Sequence, residues 1–170
     1  MRVTKLLPLS ILLALAAGLA SCAPSETPVG RVEARPHRFE LPHGAVVPVE
    51  LLWTMEDPLD GSAALVFAHL VDEDGTVRRT FDHTFPGSWK PGRDRSETVP
   101  IYHSAIGPAL PSGEYELVVG LSDGEERRWP LRTEGPDVGR MEYALARVRV
   151  PELVVDGPRF VFDEGWLPVE

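Results

Sequence analysis

Three short strings in this chain carry residue types that could do chemistry. Gly120-Leu121-Ser122-Asp123-Gly124 matches G-x-S-x-G, the spacing that lifts a serine on a sharp strand-to-helix turn and frees its hydroxyl for attack. Here the string closes an alternating apolar segment, holds an Asp-Gly turn signal and runs into Glu125-Glu126-Arg127-Arg128-Trp129. A hairpin turn explains every residue, so no catalytic nucleophile is assigned. Asp72-Glu73-Asp74-Gly75 has the opening of a calcium loop, but the fifth and twelfth positions are Thr76 and His83. Calcium coordination needs an oxygen ligand and a bidentate glutamate there, and a solvated hairpin tip is the better account.

The third string is His69 with Asp82 and His83. If Asp74-Gly75 forms a two-residue hairpin loop, Glu73 faces Thr76, His69 faces Thr80, Phe67 faces Asp82 and Val66 faces His83. His69 and Asp82 then become diagonal neighbours on one face, within reach of each other. His83 points to the other face, which breaks up a three-ligand zinc site. The expectation is a hydrogen-bonded histidine in a central strand, with no metal and no cofactor. Trp89 and Trp166 complete the candidates, as aromatic contacts for a sugar ring or a protein partner. The competing reading has each indole closing an end of the core.

The elements that must position these residues are strands. Val47, Val49, Leu51, Trp53 and Met55 alternate with mostly polar neighbours, the period of a half-buried strand. Residues 64–71 are almost uniformly apolar, as in a central strand covered on both faces. Tyr115, Leu117, Val119 and Leu121 alternate with Glu114, Glu116, Val118 and Gly120; residues 143–150 and 159–162 are further strand candidates. Asp-Gly recurs at 60–61, 74–75, 123–124 and 156–157, and the pair suits tight turns because both residues tolerate positive φ. Seventeen prolines exclude long helices, since proline lacks the N–H that a helix needs. The fold expected is an all-β antiparallel sandwich.

Leu110-Pro111-Ser112-Gly113-Glu114-Tyr115-Glu116-Leu117 resembles the loop-to-strand entry of immunoglobulin-like sandwiches. That resemblance implies that Tyr115 caps a corner by bonding back to the backbone and that Leu117 is a core residue. More broadly, residues 66–121 resemble sandwich domains of bacterial envelope proteins, including some appended to membrane glycosyltransferases. The shared phrases are Val66-Phe67-Ala68-His69-Leu70-Val71-Asp72, Asp74-Gly75, Trp89-Lys90-Pro91-Gly92, the Pro-Ser-Gly-Glu-Tyr segment and Val119-Gly120-Leu121.

The N-terminus supplies an address. Arg2 and Lys5 precede an apolar run from Leu6 to Leu19, followed by Ala20, Ser21 and Cys22, the only cysteine. This is the layout of a secretory leader, and the run is shorter than the roughly 20 residues of a membrane span. Leu19-Ala20-Ser21-Cys22 resembles the lipobox of bacterial lipoproteins. The resemblance implies cleavage before Cys22, acylation of its thiol and amino group, and attachment to a membrane through lipid alone. Ala23, where an aspartate would retain such a protein at the inner membrane, tilts the expected address toward the outer membrane of a two-membrane bacterium. In a bacterium with one membrane, the address would be its outer face.

The domain plan is therefore a leader over 1–21, a lipidated flexible tether over 22–36, a sandwich over 37–150 and a C-terminal tail over 151–170 that could add a strand. Loss of Arg2 and Lys5 with the leader takes the formal charge from −9 to −11, which argues against nucleic acid as a partner. The function expected is a non-catalytic binding or accessory module of the cell envelope, with a protein or glycan partner and no enzyme activity. Two alternatives stand beside it: a metal-dependent or hydrolytic envelope enzyme using His69 and Asp82, and a purely structural envelope lipoprotein. The sequence leaves oligomeric state open.

Overall fold

The computed structural model describes residues 27–59, 64–103 and 109–153. Twelve strands are formed: β1 Gly30–Arg35, β2 Arg38–Glu40, β3 Val46–Met55, β4 Leu65–Asp72, β5 Val77–Thr80, β6 His83–Thr84, β7 Arg93–Tyr102, β8 Gly113–Ser122, β9 Arg128–Trp129, β10 Leu131–Arg132, β11 Asp137–Gly139 and β12 Glu142–Val150. The first sheet has the order β10-β1-β3-β7. The second runs β11-β12-β8-β4-β5, with β2 added to β12, β6 to β4 and β9 to β8. Pairing is antiparallel except for β1 with β10 and β2 with β12. This is an all-β, immunoglobulin-like sandwich.

Period-2 patterning builds the core. Val49, Leu51, Trp53 and Met55 of β3 point inward against Val66, Ala68 and Leu70 of β4 and Leu117, Val119 and Leu121 of β8, all buried. β12 carries a bulge between Ala144 and Ala146, so the neighbours Leu145 and Ala146 both join the core before Val148 and Val150 resume the alternation. Tyr115 donates its hydroxyl hydrogen to the carbonyl of Pro111 at 2.8 Å, the corner anticipated from the sequence, and Leu117 is 1% exposed.

Several expectations are corrected. Residues 30–35, assigned to a tether, form β1: Val32 and Ala34 are buried and the strand pairs with β3 from Gly30↔Met55 to Arg35↔Glu50. Two inward apolar residues among charged ones left too little pattern to read. The polar run 93–102 is an edge strand, with only Val99 and Ile101 buried. β4 is central but has one face in the core; its outward residues are covered by side chains rather than by a second layer. Cys22, Trp166, the Asp-Gly pairs at 60–61 and 156–157 and the segment 159–162 lie outside the described residues.

The hairpin at Asp74-Gly75 differs from the two-residue form in an instructive way. Gly75, at φ 78°, donates to Asp72 O, and Asp72 donates to Thr76 O, each at 3.0 Å. Asp72 thus faces Thr76 across a three-residue loop. A register shift between β4 and β5 then restores the pairs His69↔Thr80 and Val66↔His83. The bulge cancels the extra loop residue, so the downstream register matches the expectation.

The β11–β12 turn is built from two non-glycine residues in the left-handed region, Arg140 (φ 57°) and Met141 (φ 59°). Arg128 braces it, donating to Arg140 O at 3.0 Å and to the Glu142 carboxylate. Its guanidinium lies 4.5 Å over the Phe67 ring. Each left-handed residue costs about 1–2 kcal/mol, so replacing Arg140 and Met141 by Asn-Gly is expected to raise unfolding free energy by about 1 kcal/mol. Tyr115→Phe is expected to lower it by about 1 kcal/mol through the lost hydrogen bond. Urea midpoints measure both; an Asn-Gly variant less stable than the parent would show that this turn is not strained.

Candidate functional site

Strand register places His69, Asp82 and His83. His69 Nε2 lies 3.0 Å from Asp82 Oδ1, as diagonal neighbours should. That oxygen also accepts the Ala68 N–H at 3.1 Å. The His69 ring is off-line for a hydrogen bond, and neither of its buried nitrogens has a hydrogen-bond partner, contrary to the expected hydrogen-bonded histidine. Among the described residues no group of three His, Cys, Asp or Glu side chains converges as a metal site.

His83 points to the opposite face, as its register requires. Its Nε2 is 3.0 Å from Glu97 Oε2, and its Nδ1 is 2.9 Å from Phe81 O. Glu97 sits in the inward register of β7, opposite Leu51, and its other oxygen accepts the Trp53 indole N–H at 2.7 Å. Trp53, His83 and Glu97 therefore form one polar pin between the sheets. The hydrogen bond to Glu97, opposed by desolvation and helped by the bond to Phe81 O, holds the His83 imidazolium above its usual range.

The rejected nucleophile string ends β8 and turns back into β9. Ser122 Oγ accepts the Gly124 N–H at 3.3 Å, and Gly124 takes φ 85° in the turn. Gly120 is required by packing: a Cβ there would meet Phe67 Cζ at 2.0 Å and the Met141 carbonyl at 2.7 Å. Asp72 organises its own hairpin, accepting N–H groups from Asp74 and Thr76 and pairing with Arg78 at 2.6 Å. The Thr76 N–H and Arg78 hold its carboxyl below the usual range against desolvation. Trp89 packs against Trp53 and Phe85 and donates its indole N–H to Asp57 O at 2.7 Å. It is half-buried at one end of the core.

A concave feature lies elsewhere, on the outer face of the second sheet. A groove of about 670 Å³ is floored by Val71 and Val118 and walled by Val77 from β5 and Val138 from β11. On this face Glu116 of β8 has Val71 of β4 on one side and Arg147 of β12 directly opposite on the other, and Glu114 lies opposite Arg149. Glu114 stands two residues from Glu116 on the same face of β8, about 7 Å along the strand. Glu73, Glu114, Glu116 and Arg147 line the groove and make no ion pair among the described residues. Glu114 and Glu116 were visible in the sequence as outward positions. What made them a site, the β11 hairpin that brings Val138 alongside, has no local signal.

A second histidine pair closes the far end of the sandwich. The rings of His43 and His103 are 4.0 Å apart. His103 is 3% exposed, and its backbone carbonyl accepts from Arg79 at 3.0 Å. Burial, then the neighbouring His43, pushes the His103 imidazole below its usual range.

No protein-family model matches the chain, and no curated protein matches it by sequence. Among solved structures, the C-terminal domain of wzt aligns with a TM-score of 0.47 and 12% identity, over 76% of this chain and 78% of that one. The CARDB domain of a Pyrococcus furiosus protein, in complex with di-metal ions, aligns at 0.40 and 11%, over 75% of this chain and 97% of that one. The fold assignment rests on the strand pairing itself.

The two shifted histidines give stability opposite pH slopes. His103, depressed in the folded state, contributes stability above the unfolded value of about 6.5 that is lost as pH falls from there toward its folded value. His83, raised, contributes stability below about 6.5 that is lost as pH rises through its folded value. His103→Gln is expected to flatten the acid slope and His83→Gln the alkaline one, read by urea unfolding across about pH 5–8.5. Slopes unchanged by either variant would refute the assignment.

Proposed function

We propose that this chain is a lipid-anchored, non-catalytic binding module of the bacterial cell envelope, whose working surface is the groove on the outer face of the second sheet. The observation that carries the reading is the make-up of that groove: an apolar floor, exposed valines on opposite walls and charged side chains left without ion pairs. A concave surface with an apolar floor and a few polar side chains is the usual form of a binding site.

The anchor is proposed from the lipobox. β1 begins at Gly30, eight residues after Cys22, so the link reaches at most about 28 Å when fully extended. The pole where β1 starts would then face the lipid. Gly30 aligns with Met55 at the end of β3 and, through β3, with the start of β7. β4 leads away from that pole to Asp72, and β8 enters from the far side at Gly113. The groove's Asp72–Glu114 end is therefore presented away from the membrane, toward whatever the protein meets.

Two measurements test this. Cys22→Ala is expected to move the protein from the membrane pellet to the soluble fraction after a high-salt wash; full retention would defeat the anchor. A photo-crosslinking residue at position 77 or 138, in living cells, is expected to give a discrete adduct that position 98, on the outer face of the first sheet, does not. Equal labelling at all three would defeat the assignment of the groove.

A further inference from the structure

Resting on the binding-module reading, we infer that the outer face of the second sheet binds a second copy of this chain, about a two-fold axis that runs parallel to the strands between β8 and β12. Charge on this face is sorted by strand. β8 presents Glu114 and Glu116, and β12 presents Arg147 and Arg149, all four exposed. Register sets Glu114 opposite Arg149 and Glu116 opposite Arg147. Glu114, Glu116 and Arg147 make no ion pair among the described residues. Arg149 touches Glu40 at 3.7 Å with both side chains exposed, a contact that solvent keeps weak.

Two adjacent stripes of opposite sign are their own complement. Half a turn about this axis exchanges β8 with β12, so each glutamate of one copy meets the arginine at the same level of the other. Facing sheets lie about 10 Å apart, a gap that an arginine and a glutamate close together. The rotation also exchanges β11 with β4, which lays the exposed Val138 (48%) over β4 of the other copy. A two-fold axis running across the strands would set β8 on β8 and β12 on β12, like charge on like. Such a contact is isologous and closes at two copies.

The axis agrees with the proposed anchor. The strands lead away from the pole where β1 starts, so an axis along them leaves both tethers on one side, as two copies in one membrane require. Confinement to that membrane raises the effective concentration of each copy for the other, so a contact that is weak in solution suffices there.

The test is sedimentation of the Cys22→Ala chain, purified after export, at about 0.15 M salt, where repulsion between two acidic chains is largely screened. The mean mass is expected to rise toward that of a dimer as concentration approaches about 0.5 mM, and to rise less at about 1 M salt. Glu114→Lys with Glu116→Lys, and separately Arg147→Glu with Arg149→Glu, are each expected to weaken self-association at least about 10-fold. Mixing these two variants is expected to restore a dimer, because a wholly positive face then meets a wholly negative one. Glu50→Lys with Asp94→Lys, the same charge change on the first sheet, is expected to keep parental self-association and to restore nothing when mixed with the Arg147→Glu, Arg149→Glu variant.

A monomer at every concentration, equal loss in the first-sheet variant, or failure of the complementary variants to pair would overturn the proposal. Crosslinking at position 138 in cells separates it from the wider reading. An adduct of twice the chain's mass is the second copy. An adduct of another mass makes the partner a different protein and leaves the binding module standing, and no adduct removes both.

Discussion

The structure turns on the need to satisfy one buried indole. Trp53 lies in the inter-sheet core, 1% exposed, with the rings of Phe85 and Trp89 set edgewise to it. A buried N–H without an acceptor costs about 1–3 kcal/mol, so β7 turns Glu97 inward to accept it. A carboxylate in that position needs a counter-group in turn, and His83 supplies it from the other sheet. One aromatic residue thus recruits a polar chain that joins the two sheets along an open side. The opposite side has its own pin, where the Tyr143 hydroxyl accepts the Leu131 N–H at 3.0 Å.

The same logic explains what the chemistry-bearing strings do for the fold. Asp72 is a turn organiser, the glycines around Ser122 answer to packing and to a turn, and Arg128 holds a strained hairpin in place over Phe67. In a fold whose only cysteine lies outside the domain, such local devices hold loops that a disulfide would otherwise restrain. On the outer face of the second sheet, exposed valines and carboxylates without ion pairs line one groove.

Legibility in the sequence followed local physics. The strands at 47–55, 115–121 and 143–150 were readable because burying one face imposes alternation, and the one read at 64–71 because its residues are almost uniformly apolar. Tyr115 was readable because corner and strand are contiguous. The His69–Asp82 contact was readable because register propagates from a turn, although the loop is one residue longer than expected and only a compensating bulge kept the pairing. β1 and β7 were not readable: each buries two small or branched residues among charges, and their strand state comes from pairing with β3.

By itself, the sequence determined the class of fold, the corner and the hairpin register near His69. These are properties of short segments, where side-chain period and turn chemistry act between neighbours. Only the tertiary structure decided that Glu97 turns inward to Trp53, that the His103 ring lies tilted against His43, and that Val77, Glu116 and Val138 line one groove. Those contacts join residues far apart in the chain, and they follow from which strands lie side by side, a choice made by the whole core rather than by any segment of it.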